Sequence, residues 1–476
     1  MADSRYSSFK QMVGKPLSYA RESRTAMFFA CVAISILLVF LIGDEDFSHT
    51  QNLVLFLLFF SIGLWVTEAI PPFAVGILIV GFLVFTMGRE ETMDVKQYLQ
   101  TWSDGVIWLF LGGFFLAEGM KKTSLDRQLL LLAAPRFGQL AKNVLLGLMS
   151  VTGVLSMVMS NTATTAMMIA TIAPLFVHPQ KTHIAKAFYL GIPTAAAIGG
   201  MGTIIGSAPN AIAVGALESV GIQISFVEWM MVGIPVAILL TFLFWKVLIN
   251  KYKIGNQTIS LENLKISDAS LIPSREDMAQ RRIVLGILFL TVSLWLTSQW
   301  TGIPVAAVSG IPIVGLTMLG IIDADDLRKI PWDTLMLVAG GLSLGIAIQE
   351  QNLIQFFVDK ISAVQVNYYV LLFIFGLISV GVSNFMSNTA ATTILIPVAI
   401  TFTSLTTGVN PVVLPLVIGL CASCALLLPV STPPNAMVYS TGFVEQKEFM
   451  LGGVFVGLTG PVLIILWTLL ISYLFF

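Results

Sequence analysis

Two short polar clusters interrupt an otherwise apolar chain, Ser160-Asn161-Thr162 and Ser387-Asn388-Thr389. A carboxamide flanked by hydroxyls can offer oxygens to a small hard cation or donate hydrogen bonds to a carboxylate. Two further stretches, Gly206-Ser207-Ala208-Pro209-Asn210 and Ser431-Thr432-Pro433-Pro434-Asn435, join polar groups to proline. Proline removes a backbone donor and clashes with the preceding turn, so each stretch is expected to unwind a helix. Helix N-termini present free N–H groups that suit an anion, and unwound carbonyls suit a cation. None of these four segments contains Lys or Arg. An anion bound there needs its counter-charge brought in by cations. Na+ is favoured over H+, because oxygen ligands abound and no carboxylate is present to relay protons.

A lone Ser, Thr or Asn in a membrane helix most often bonds a neighbouring helix. Here the clusters fall at matched positions of an internal repeat. Trp65 matches Trp295, Trp102 matches Trp332, and Gly112-Gly113 matches Gly340-Gly341. Ser156 and Ser160-Asn161-Thr162 match Ser383 and Ser387-Asn388-Thr389. Pro209-Asn210-Ala211 matches Pro434-Asn435-Ala436, and Glu228 matches Glu448. The six pairs keep their order while the offset drifts only from 230 to 220 residues. Each half therefore offers an Asn, a Thr and a proline-broken loop, and a small dianion fits that symmetry. The glycine pairs are read as sites of close helix packing.

The elements that position these groups are membrane helices. Only 11% of the 476 residues are charged, against roughly 25% in a soluble domain, and mean hydropathy is +0.89. Apolar runs cover 24–43, 51–67, 71–88, 103–120, 143–177, 186–218, 227–250, 283–300, 303–322, 332–350, 367–402, 411–442 and 452–476. Runs 143–177 and 367–402 are too long for one helix, and each carries a Ser-Asn-Thr cluster at its centre. They are read as re-entrant hairpins, whose broken backbone is tolerated where protein or a watery cavity covers it. The fold class is then an all-α membrane protein, with 11 transmembrane helices plus two re-entrant hairpins in an inverted repeat.

Charge supports that count. With the N-terminus cytoplasmic, 22 of the 25 Lys and Arg fall inside and only Arg89, Lys96 and Lys360 fall outside. Each copy of the repeat has five spans and one hairpin, the eleventh span lying outside the two copies. That odd number of crossings turns the second half upside down relative to the first. The C-terminus is expected outside. About 25 polar residues precede the first run, so the first span is expected to be retained rather than cleaved.

Other chemistry is excluded or weak. A net charge of -1 gives no reason for a nucleic-acid partner. Cys31, Cys421 and Cys424 sit in apolar runs and are read as reduced packing residues. Gly341-Leu-Ser343-Leu-Gly345 matches a nucleophile pattern, but without a strand or a His partner. His49, His178 and His183 are expected in loops, Glu68 is read as an interfacial residue, and Glu118 is expected to pair with Lys121. No enzyme constellation results.

With Leu428-Pro-Val-Ser-Thr-Pro-Pro-Asn-Ala-Met and the paired Ser-Asn-Thr tips, the chain after residue 25 resembles the divalent anion/sodium symporter family, the INDY-type dicarboxylate transporters. The resemblance implies a homodimer with an elevator movement. It implies a cytoplasmic segment 1–23, a scaffold of 24–142 and 283–366, a transport domain of 143–250 and 367–476, and a cytoplasmic loop 251–282. Carried over residue by residue, the first sodium site would use Ser156, Ser160, Asn161 and Gly206. The second would use Ser383, Met386, Asn388 and Ser431, with Met386 and Ser431 acting through backbone carbonyls. Substrate would touch Asn161, Thr162, Ser207, Asn388, Thr389, Thr432 and Pro433. Ser383, Ser431 and Ala208 stand where Thr, Ala and Pro are frequent in the family. The function expected is Na+-coupled uptake of C4 dicarboxylates (succinate, malate, fumarate) across a bacterial inner membrane. The alternative is a Na+-independent exchanger of dicarboxylate, citrate or sulfate.

Overall fold

A computed structural model describes residues 23–44, 46–88, 94–176, 182–259, 274–353, 356, 367–405 and 410–475. Arg5, Lys10, Lys15, Arg21, Arg89, His178, Lys181, Lys265 and Lys360 lie outside them. Among the described residues the chain is helical, with no strand beyond one isolated bridge between Leu140 and Thr258.

The first half runs α1 (Ser23–Ile42), α2 (His49–Thr67), α3 (Pro72–Met87), α4 (Gly105–Lys122), α5 (Leu125–Ala133), α6 (Ala141–Ser156), α7 (Asn161–Ile172), α8 (Thr182–Gly200), α9 (Ala208–Ser219) and α10 (Phe226–Lys251). The second runs α11 (Arg275–Leu296), α12 (Val305–Met318), α13 (Trp332–Glu350), α14 (Tyr368–Ser383), α15 (Asn388–Leu405), α16 (Val413–Ala422), α17 (Pro433–Ser440) and α18 (Gln446–Phe475). Among the described residues, seven helical segments are long and apolar enough to cross a membrane, α1, α2, α10 and α18 among them, and several shorter apolar helices accompany them.

Both long runs break at the Ser-Asn-Thr clusters, into α6–α7 and α14–α15. Both proline-bearing runs are also interrupted, between α8 and α9 and between α16 and α17. Three sequence expectations need correction. Residues 121–142 contain the amphipathic α5, which buries Leu125 and Leu130 on one face; its mixed composition hid it from a search for wholly apolar runs. His49 opens α2 and His183 lies in the first turn of α8, so neither is a loop residue. The 283–300 run begins eight residues earlier as helix, because Ser274 caps α11 by accepting from the Asp277 N–H at 3.0 Å.

The repeat is visible in bonding detail. Trp65 Nε1 donates to Pro72 O at 3.3 Å, and Trp295 Nε1 donates to Val305 O at 3.2 Å, each tying a helix to the next one. Glu228 accepts from the Ser225 N–H at 2.7 Å, and Glu448 accepts from the Glu445 N–H at 2.9 Å. Those matched glutamates are therefore helix-start caps. Glu118 and Lys121 pair at 3.2 Å. Gly340 lies against Gly76, where an added Cβ would stand 2.3 Å from the Gly76 Cα; this seam joins α3 to α13. Gly199 is pressed as closely against Gly153, joining α6 to α8.

The two halves interlock crosswise. Within each half the broken helix packs on its own hairpin, α8 on α6 and α16 on α14. Between halves, α9 packs on α15 and α17 packs on α7. The C-terminal piece of each broken helix thus closes the hairpin of the other half.

A candidate binding site between two broken-helix pairs

The four interrupted elements enclose one cavity of about 460 Å³. Its wall includes Ser160, Asn161 and Thr162 from the first tip and Ser387, Asn388 and Thr389 from the second. Gly206, Ser207, Ala208 and Pro209 come from the first unwound stretch, and Ser431, Thr432, Pro433 and Pro434 from the second. All seven residues expected at a substrate therefore share one cavity. Of the eight expected at sodium, Ser160, Asn161, Gly206, Asn388 and Ser431 line it, while Ser156, Ser383 and Met386 are buried behind the wall.

Local chemistry makes each tip. Ser160 caps α7 by accepting from the Ala163 N–H at 3.2 Å, and Ser387 caps α15 by accepting from the Ala390 N–H at 3.1 Å. Thr432 caps α17 through the Asn435 N–H at 3.3 Å. The N-terminal turns of α7, α9, α15 and α17 all reach the cavity wall, so free N–H groups and the positive ends of four helices converge there.

Behind the first tip, oxygens crowd together. Ser156 Oγ donates to Asn161 Oδ1 at 2.6 Å. A Cβ added to Gly200 would stand 2.7 Å from Asn161 Oδ1 and 2.9 Å from Gly206 O. One added to Gly206 would stand 2.6 Å from Gly200 O and 3.0 Å from Ser156 O. Oxygens of Asn161, Gly206, Gly200 and Ser156 thus crowd about two glycines that leave no room for a side chain, and such a donor set suits a hard cation. Gly200 was missed in the sequence because it reads as one more small residue of an apolar helix.

The second tip is bonded differently. Ser383 Oγ and Asn388 Oδ1 are buried without a hydrogen-bond partner among the described residues. Buried polar atoms are ordinarily satisfied, so two orphans at the expected ligand positions suit a bound ion. Beside them, Asn384 Oδ1 accepts from the Leu427 N–H at 2.8 Å and from Ser431 Oγ at 3.0 Å. The Ser431 hydroxyl itself accepts from the Leu428 N–H at 3.0 Å. The Ser431 side chain, expected to matter little, thus locks the unwound stretch to the hairpin. Asn384 has Met157 as its counterpart, so nothing in the repeat pattern pointed to it.

One residue type secures both unwound stretches. Asn210 Nδ2 donates to Gly200 O and to Thr203 O, each at 2.7 Å, and Asn435 Nδ2 donates to Leu426 O and Leu428 O at 3.4 and 3.2 Å. The Pro-Asn pairs noted in the sequence are thus clamps on unpaired backbone. The remaining wall comes from Phe110 and Phe114 of α4, Ala197 of α8, Ile205, and Pro331, Asp333 and Thr334 at the start of α13. Among the described residues no Lys or Arg lines the cavity.

Among the described residues the protein is all-helical, with several apolar helices and a cavity closed by two pairs of broken helices, and its family and named relatives make it a membrane transporter rather than an enzyme. Over residues 22–475 the chain matches the sodium:sulfate symporter transmembrane region, and it belongs to that family, the divalent anion/sodium symporters. It is 29% identical over 473 residues to the sodium-dependent dicarboxylate transporter SdcS of Staphylococcus saprophyticus, covering 90% of this chain and 88% of that one. It is 31% identical over 434 residues to SdcS of Staphylococcus aureus, covering 84% and 82%. Two solved structures share the fold at low identity. MtrF of Neisseria gonorrhoeae aligns with a TM-score of 0.57 at 10% identity, over 86% of this chain and 96% of that one. The YdaH transporter of Alcanivorax borkumensis gives 0.52 at 15%, over 84% and 98%.

Proposed function

We propose that the protein couples inward Na+ movement to uptake of a C4 dicarboxylate such as succinate, malate or fumarate. The observation that carries this reading is the cavity: both Ser-Asn-Thr tips and both proline breaks meet in it, and among the described residues no basic side chain balances an anion there. Helix N-termini on opposite sides suit the two ends of a dianion. One sodium ion would sit among Ser156, Asn161, Gly200 and Gly206, with Ser160 beside it. The other would sit by Ser383, Asn388, Met386 and Ser431. The relatives' description as sodium-dependent dicarboxylate transporters points the same way.

In this reading 24–142 and 283–366 form the scaffold of a homodimer in the plasma membrane. Segments 143–250 and 367–476 carry the site across by an elevator movement. The N-terminus is cytoplasmic and the C-terminus external. The cavity reaches the first turn of α13, just after Arg328 and Lys329, so the conformation is inward-facing under the charge rule. Uptake of labelled succinate into proteoliposomes, with and without a Na+ gradient, tests the coupling. Faster uptake with the gradient is expected. Equal rates overturn the coupling, and strong Na+-free counterflow would instead indicate an exchanger.

A further inference from the structure

Among the described residues lining the cavity, Asp333 is the one ionisable group, and its charge has the sign of the proposed substrate. It lies in the first turn of α13, outside both hairpins and both broken helices. Its side chain is exposed and forms no ion pair among the described residues. The nearest cations along the chain are engaged elsewhere. Arg328 pairs with Asp325, and Lys329 pairs with Asp326 at 3.0 Å. A carboxylate that is neither capped by a cation nor buried adds its field to the cavity mouth.

We infer that Asp333 is a specificity-determining charge filter, which admits a dianion once cations have loaded and disfavours an anion carrying a third negative charge. The inference rests on the sodium-coupled dicarboxylate reading above. Na+ at the two tips offsets the charge of a dicarboxylate, whereas a tricarboxylate keeps an extra charge facing Asp333. A unit charge roughly 8 Å away in half-solvated surroundings changes binding by about fivefold. Because the group is exposed, added salt should weaken the effect, the screening length being about 8–10 Å at 0.10–0.15 M. The field also draws Na+ toward the mouth of the empty cavity, which favours cation binding before anion binding.

The test is displacement of labelled succinate from the full-length protein in detergent at saturating Na+. Unlabelled succinate and citrate are the competitors, at low ionic strength and again with added choline chloride. Asp333→Asn is expected to improve citrate relative to succinate by about fivefold, with the gain shrinking as choline chloride rises. Asp333→Glu keeps the charge and is expected to keep the wild-type ratio. An unchanged ratio in Asp333→Asn, or a change as large in Asp333→Glu, overturns the filter, because packing would then be the cause. Failure of the wild type to bind succinate in Na+ overturns the underlying reading and this inference with it.

Discussion

Gly200→Ala gives the sharpest test of the first cation site. The added methyl would stand 2.7 Å from Asn161 Oδ1 and 2.9 Å from Gly206 O, nearer than carbon and oxygen approach without displacement. The clash can be relieved only by spreading the oxygens that must close on the ion. The strain therefore counts against the ion-bound state. Overpacking of this kind costs about 1–3 kcal/mol, and each 1.4 kcal/mol is about tenfold in affinity. A rise in the half-saturating Na+ concentration of roughly 5- to 150-fold is expected. The assay is the Na+ dependence of succinate uptake, with Na+-induced thermal stabilisation of the purified protein as a transport-independent readout. Gly381→Ala is the control, since a Cβ there meets nothing within 4 Å. Normal Na+ dependence in a folded Gly200→Ala protein would refute the assignment of this oxygen cluster to sodium.

Asn161→Ala and Asn388→Ala should each abolish Na+-driven uptake while leaving the elution profile of the folded protein unchanged; wild-type uptake by either contradicts the site. Ser431→Ala removes the hydroxyl that bridges Asn384 and the Leu428 N–H. Losing a buried hydrogen bond costs about 1 kcal/mol, so the Na+ requirement should rise several-fold with little change in succinate affinity at saturating Na+. Asn210→Ala strips the donor from two carbonyls of the first unwound stretch. At roughly 1–2 kcal/mol per bond in a membrane interior, thermal denaturation in detergent should show a lower midpoint than wild type.

Much of this architecture could be read from the sequence because membrane physics leaves few options. Uninterrupted apolar runs must be helices, and a polar cluster at the centre of a long run must be a break with a reason. The repeat then paired Asn161 with Asn388 and Pro209 with Pro434, and the cavity brings those residues together. What stayed hidden depends on contacts between elements distant in sequence. Gly200 gains meaning only when Asn161 folds back beside it, and Asn384 only when Leu427 and Ser431 arrive. Asp333 follows the repeat marker Trp332, and nothing local indicates that α13 turns its first residues toward both tips. Helix α5 escaped notice because one of its faces is polar.

The crosswise packing of α9 on α15 and of α17 on α7 also bears on biogenesis. When the ribosome has finished the first half, the unwound stretch after α8 is complete, but the partner that closes it has not been made. At about 5–20 residues per second, α15 follows α9 only after many seconds. During that interval, the carbonyls of Gly200 and Thr203 have the Asn210 amide as their partner. A chain truncated after α10 would lack α15, and with it the surface on which α9 packs. Each half carries a full copy of the same plan, yet each relies on the other to cover its broken helix.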